Sequence, residues 1–147
     1  MRFKRFAAAA AFLGTLAVSH AALAASMEVF KTPWCGCCQA WADAFKGAGF
    51  DVAVTDMEDL SPIREQAGVP AALEGCHSAM IEGYFLEGHV PIEAVEKLLE
   101  ERPEIAGLAV PGMPSGSLGM GDDPETRYDV LSVTADGATE VFMSVGG

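Results

Sequence analysis

The sequence predicts an α/β domain: a mixed β-sheet with helices on its faces and a β-hairpin added at the C-terminal end. Three observations carry that expectation. Short stretches that alternate apolar and polar residues recur along the chain. Longer stretches place apolar residues at helical spacing. The two kinds of stretch interleave before a final pair of strands.

Met27-Glu28-Val29-Phe30-Lys31 alternates and reads as the first strand, which Thr32-Pro33 breaks. From Gln39 to Ala48 helix formers place Trp41, Ala44, Phe45 and Ala48 on one face, and Gly47 and Gly49 end the helix. Phe50 to Asp56 alternates again as a second strand. Ser61-Pro62 opens a short helix, with Ser61 as its N-cap and Pro62 at its first position, and Gly68-Val69-Pro70 closes it. Cys76 to Ile81 and Tyr84 to Glu87 form a hairpin that turns near Glu82-Gly83. Pro91 to Glu101 is an amphipathic helix with Ile92, Val95, Leu98 and Leu99 as its stripe. Residues 103–124, rich in Gly, Pro and Ser, read as a long loop, either functional or disordered. Tyr128–Thr134 and Ala138–Val145 turn around Asp136-Gly137 as the terminal hairpin, within 128–145. The order βαβα, hairpin, helix is that of a thioredoxin-like domain, and a right-handed first crossover sets residues 32–38 at the carboxyl end of the first strand.

The chain has 147 residues. Arg2, Lys4 and Arg5, an uncharged apolar run from Ala7 to Val18, and the small residues Ala22-Leu23-Ala24 predict a secretory signal peptide over 1–24, cleaved after Ala24. A membrane anchor is the alternative, but the run is short for a span. Residues 25–147 then form one domain, exported and not inserted in the membrane after cleavage. Three of the nine basic residues fall in the signal and none of the 21 acids does, so the domain carries a net charge of −15. That argues against nucleic acid and anionic lipid as partners and suits cations, metal ions among them; solubility alone accounts for it equally well.

All four cysteines, Cys35, Cys37, Cys38 and Cys76, lie in the domain. Three within four positions do not make a stapling framework, since a loop closed between Cys35 and Cys38 constrains little chain. Trp34-Cys35-Gly36-Cys37-Cys38 begins like the active site of a disulfide oxidoreductase, with cysteine in the proline position. A helix start favours thiolates, and the C-x-x-C spacing lets two sulfurs converge. Two uses stay open. A thiol-disulfide oxidoreductase would attack with Cys35 and resolve with Cys38. A metal site would gain Cys37 as a further soft donor, and soft donors select Cu(I), with zinc a less favoured occupant. The third thiol tips the balance towards metal binding rather than catalysis.

Cys76-His77 stands at the entry of the third strand, where a thioredoxin-like domain faces its cysteine turn and normally carries a cis-proline. That placement brings a fourth sulfur and an imidazole to the site. His89, in Glu87-Gly88-His89-Val90-Pro91, belongs to the same rim, either as a ligand or as a capping histidine. Met113 and Met120 have core filling as their usual role, but their loop offers little core to fill, which makes both candidates for thioether ligation. Trp34 is expected to shield the site or cover the sheet edge.

Three blocks, "TPWCGCC", "GVPAALEGCHSAMIEGYFLEGHVP" and "ERPEIAGLAVPGMPSGSLGM", with the terminal "YDVL", resemble an exported thioredoxin-like metal-binding family. It was long described only as a domain of unknown function, and it includes the copper-resistance protein CopG. The resemblance spans essentially all of residues 25–147. It implies a thioredoxin fold with an added hairpin and copper handling in the periplasm, including Cu(I) in a multinuclear thiolate cluster. The implied ligands are Cys35, Cys37, Cys38, Cys76 and His77, then His89, Met113 and Met120. The family loop Gly-Ser-Pro-Gly-Met reads Gly116-Ser117-Leu118-Gly119-Met120 here, without its proline. Copper storage, redox conversion and delivery to a periplasmic copper-export component are all compatible roles.

Overall fold

A computed structural model describes residues 25–146; the expected signal peptide lies outside them. In chain order the elements are β1 (Ser26–Lys31), α1 (Gly36–Gly47), β2 (Asp51–Asp56), α2 (Ser61–Ala67), a 3-10 turn (Ala71–Leu73), β3 (His77–Ile81), β4 (Tyr84–Glu87), α3 (Ile92–Glu101), β5 (Gly107–Ala109), β6 (Tyr128–Val133) and β7 (Thr139–Val145). The strands form one seven-stranded mixed sheet in the order β2-β1-β3-β4-β5-β6-β7. β1 pairs with β2, and β4 with β5, in parallel; every other neighbouring pair is antiparallel. The α/β class and the terminal hairpin therefore stand as expected, in a topology compatible with a thioredoxin-like domain.

The pleat sends alternate residues to opposite faces, and each face has its own cover. On one face Met27, Val29, Ala79, Ile81, Leu86 and Leu108 pack with Trp41, Ala42 and Phe45 of α1 and Ala94, Val95 and Leu98 of α3. On the other, Phe85, Ala109 and Val133 pack with Leu73, beside Ala67 at the end of α2. Among the described residues no helix is long and apolar enough to cross a membrane.

Four local expectations need correction. α1 begins at Gly36, not near Gln39, so its buried face is Cys38, Trp41, Ala42 and Phe45, while Ala48 is exposed. Ser61 lies inside α2 rather than capping it; Leu60 is the N-cap residue, and Asp59 Oδ1 accepts from the Ser61 N–H at 2.9 Å. The 103–124 segment is not all loop, because Gly107–Ala109 forms β5 between β4 and β6. All three residues of β5 are buried, so no alternation marks the strand in sequence. Trp34 neither shields nor covers: it is 70% exposed.

Candidate metal centre

The register explains why distant residues meet. Lys31, the last residue of β1, pairs with His77, the first of β3. The β1 end leads into Thr32–Cys35 and the start of α1, so the cysteine turn and Cys76-His77 share one edge of the sheet. β4 ends there too, at Glu87, followed by His89, and β5 delivers the segment 110–121 to the same edge.

Cys35 is the N-cap residue of α1, and its Sγ accepts from the Cys38 N–H at 3.3 Å. Cys35 and Cys38 are joined as a disulfide, with Cα atoms 5.4 Å apart, and Cys37 and Cys76 are free. Cys37 Sγ lies 3.5 Å from Cys35 Sγ. The sulfurs of Cys35, Cys37, Cys38 and Cys76 all fall within 4.8 Å of one another. A second donor group, Cys76 with His77 and His89, meets the same limit, so Cys76 belongs to both.

The two imidazoles differ in how they are held. His89 Nδ1 lies 2.7 Å from the carbonyl oxygen of Leu118, which can only accept, so that nitrogen carries the proton. Nε2 is then a free lone pair, and it points at Cys76 Sγ, 2.9 Å away. A ring nitrogen donating to a backbone carbonyl while its partner faces the ligand position is the usual support of a metal-binding histidine. His77 is buried behind Cys76, with Nδ1 3.6 Å from the sulfur and its ring 4.5 Å from that of Trp41. Its Nε2 is the one buried side-chain polar atom without a hydrogen-bond partner among the described residues. Burial, then the neighbouring His89 and Arg64, push the His77 pKa down to about 3, and burial lowers that of His89. Both rings are therefore neutral donors. Burial, and then the nearby Cys37, push the Cys76 thiol up to about 12. Without a cation the proton stays on sulfur and is shared with His89 Nε2; a bound cation would replace it.

The segment 114–120 lies against the cysteine helix. Gly119 has φ +89°, and a Cβ on it would stand 2.6 Å from the Cys37 carbonyl oxygen and 3.0 Å from the Trp41 nitrogen. Ser117 is buried and donates to the Pro114 carbonyl at 2.7 Å; the Met120 N–H donates to Ser117 at 2.8 Å. Met120 thus follows a residue in contact with the helix, whereas Met113 is exposed beside an open cavity of about 230 Å³ lined also by Glu74, Gly75, Cys76 and Gly112. All eight residues singled out from the sequence lie on segments that reach this edge. Sequence reasoning missed Trp41, which backs His77 and donates from Nε1 to the Val90 carbonyl at 2.8 Å. It also missed the Leu118 carbonyl, which no side-chain pattern can signal.

With the Cys35–Cys38 disulfide reduced, four sulfurs and two neutral imidazoles, the rings and one sulfur buried, suit a soft, thiophilic cation; hard cations would demand oxygen. A profile described as "Protein of unknown function, DUF411" matches residues 73–120, the stretch from before Cys76 to Met120. Two solved structures, of the copper resistance protein CopG in its Form 1 and Form 2, are similar throughout. The first is 36% identical, covers 83% of this chain and 98% of its own, and superposes with a TM-score of 0.77. The second is 35% identical, covers 84% and 99%, and superposes with a TM-score of 0.78. No curated protein sequence matches.

Proposed function

The chain belongs to the DUF411 family together with the copper resistance protein CopG, and from that premise we propose that it is a copper-binding protein of the periplasm serving copper tolerance. Its cargo is Cu(I), held by the thiolates of Cys35, Cys37, Cys38 and Cys76 with His77 and His89 as imidazole donors. Met113 and Met120 close the site as thioethers. Residues 1–24 serve as the export signal, and 25–147 form one domain. The observation that carries this reading is the sharing of Cys76 between two donor groups. One Cu(I) needs fewer donors than the six gathered here, so more than one ion fits, bridged by thiolate sulfur.

A second reading has its own observation. Cys35 and Cys38 are paired while Cys37 stands 3.5 Å from one of the paired sulfurs. Two electrons and two protons convert that disulfide to two thiols, so redox state sets how many thiolates the cargo meets. Thiol-disulfide exchange by Cys35 and Cys38, and transfer of copper to an export component, are the alternatives to storage.

The deciding experiment loads the reduced protein with Cu(I) under anaerobic conditions and counts bound copper against free thiols. The reading expects more than one ion per chain, and a lower count in Cys37→Ser. Less than one ion per chain, with disulfide-reductase activity intact in Cys37→Ser, would sink it in favour of the oxidoreductase. Zinc in place of copper would be retained less tightly in direct competition.

A further inference from the structure

Glu74, Gly75 and Cys76 lie between the 3-10 turn and β3, in neither helix nor strand. The sheet ladder begins only at His77, so something else must set where the Cys76 sulfur stands. Gly75 is gripped by both of its backbone groups. Its N–H donates to Glu87 Oε1 at 2.7 Å, and its carbonyl accepts from Arg64 Nη2 at 2.7 Å. Arg64 and Glu87 are also joined to each other, with Nε and Nη2 each 2.9 Å from Oε1. The second Glu87 oxygen accepts from Ser78 Oγ. One carboxylate therefore holds the chain on both sides of Cys76, at positions 75 and 78. Gly75 sits so close to the His89 loop that a Cβ would stand 2.7 Å from Gly88 Cα.

The pair is costly to bury: Glu87 is fully buried and the Arg64 side chain is 12% exposed. An apolar pair of similar volume would hold α2 to the sheet without removing two charges from water. What an apolar pair cannot supply is a planar fork that grips a carbonyl and a carboxylate at once.

We infer that Arg64 and Glu87 are positioning residues for the metal centre, clamping Gly75 so that Cys76 Sγ faces both the α1 cysteines and His89. The inference rests on the copper-binding reading above. Because Cys76 belongs to both donor groups, displacing this one loop loosens both.

The test uses the exported, processed protein, reduced and metal-free, titrated with Cu(I) in competition with a chromogenic Cu(I) chelator. Arg64→Lys keeps a positive charge beside Glu87 but loses the fork. Glu87→Gln keeps the shape and weakens the acceptor. Each is expected to retain Cu(I) about 10- to 100-fold less tightly than the parent. Each should also shift the thiolate-to-copper absorption towards that of Cys76→Ser, and speed alkylation of Cys76 in the metal-free protein. Cooperative thermal unfolding of the variants shows that the fold is kept; should Arg64→Lys fail to fold, Glu87→Gln decides. Folded variants with the parent's copper retention, spectrum and Cys76 alkylation rate overturn the clamp. If Cys76→Ser itself binds Cu(I) like the parent, the copper reading of this centre fails. The clamp is then judged on alkylation alone: a faster rate upholds it and an unchanged rate overturns it.

Discussion

Cys37 occupies the position at which a disulfide oxidoreductase carries proline, and its surroundings agree with the chemistry that the exchange implies. Its sulfur is 3.5 Å from Cys35 and inside the four-sulfur group. Cys37→Ser removes one soft donor without changing the backbone. Its cost in Cu(I) retention is expected to reach at least the about 10- to 100-fold typical of losing a mere outer-shell partner, read by chelator competition. Gly119 makes a separate demand. Its positive φ strains any other residue, and the helix backbone leaves no room for a Cβ. Gly119→Ala is expected to cost about 1–3 kcal/mol of stability and to weaken copper retention by lifting Leu118 from His89; urea unfolding and chelator competition check the two effects. At His89 a capping histidine and a ligand look alike in sequence; its hydrogen bond to Leu118, 29 residues away, leaves Nε2 facing Cys76, which supports the ligand reading.

At the scale of elements, periodicity located helices well and their first turns poorly. The buried stripe of α1 keeps the i, i+3, i+4, i+7 spacing expected of it, but it starts at Cys38. The helix takes Cys35 as its cap, and Cys37 and Cys38 stand in its first turn. β5 escaped notice because a three-residue strand covered on both faces has no alternation and hides among glycines and prolines. Leu108 at its centre is fully buried between β4 and β6. Leu108→Ala is expected to lower stability by about 2–5 kcal/mol, measured as a shift in the urea midpoint at unchanged slope. A Leu108 merely crossing a loop would cost far less.

Across the whole molecule, four strand ends and one helix start converge on a single edge of the sheet, and the candidate centre lies there. The net charge of −15 over residues 25–147 favours cations without selecting among them; in the proposed function, selection falls to the sulfur and imidazole donors. The proposed export signal makes a prediction at this scale. Intact-mass measurement of the protein recovered from the periplasmic fraction is expected to give a chain starting at Ala25. Retention of residues 1–24 in the membrane fraction would replace the signal peptide with an anchor.

The sequence by itself determined the set of candidate donors and most of the scaffold. Cysteine crowding, the Cys76-His77 pair and the order of alternating and helical stretches are local signals, and local signals survive in one dimension. Only the tertiary structure decided which donors share a site. The β1–β3 register sets His77 opposite Lys31, the Leu118 carbonyl fixes the proton on His89, and Arg64 with Glu87 holds the loop before Cys76. Each of these contacts joins residues far apart in the chain through backbone groups or buried charge. Such contacts are set by packing and strand register, and no residue pattern along the sequence encodes them one by one.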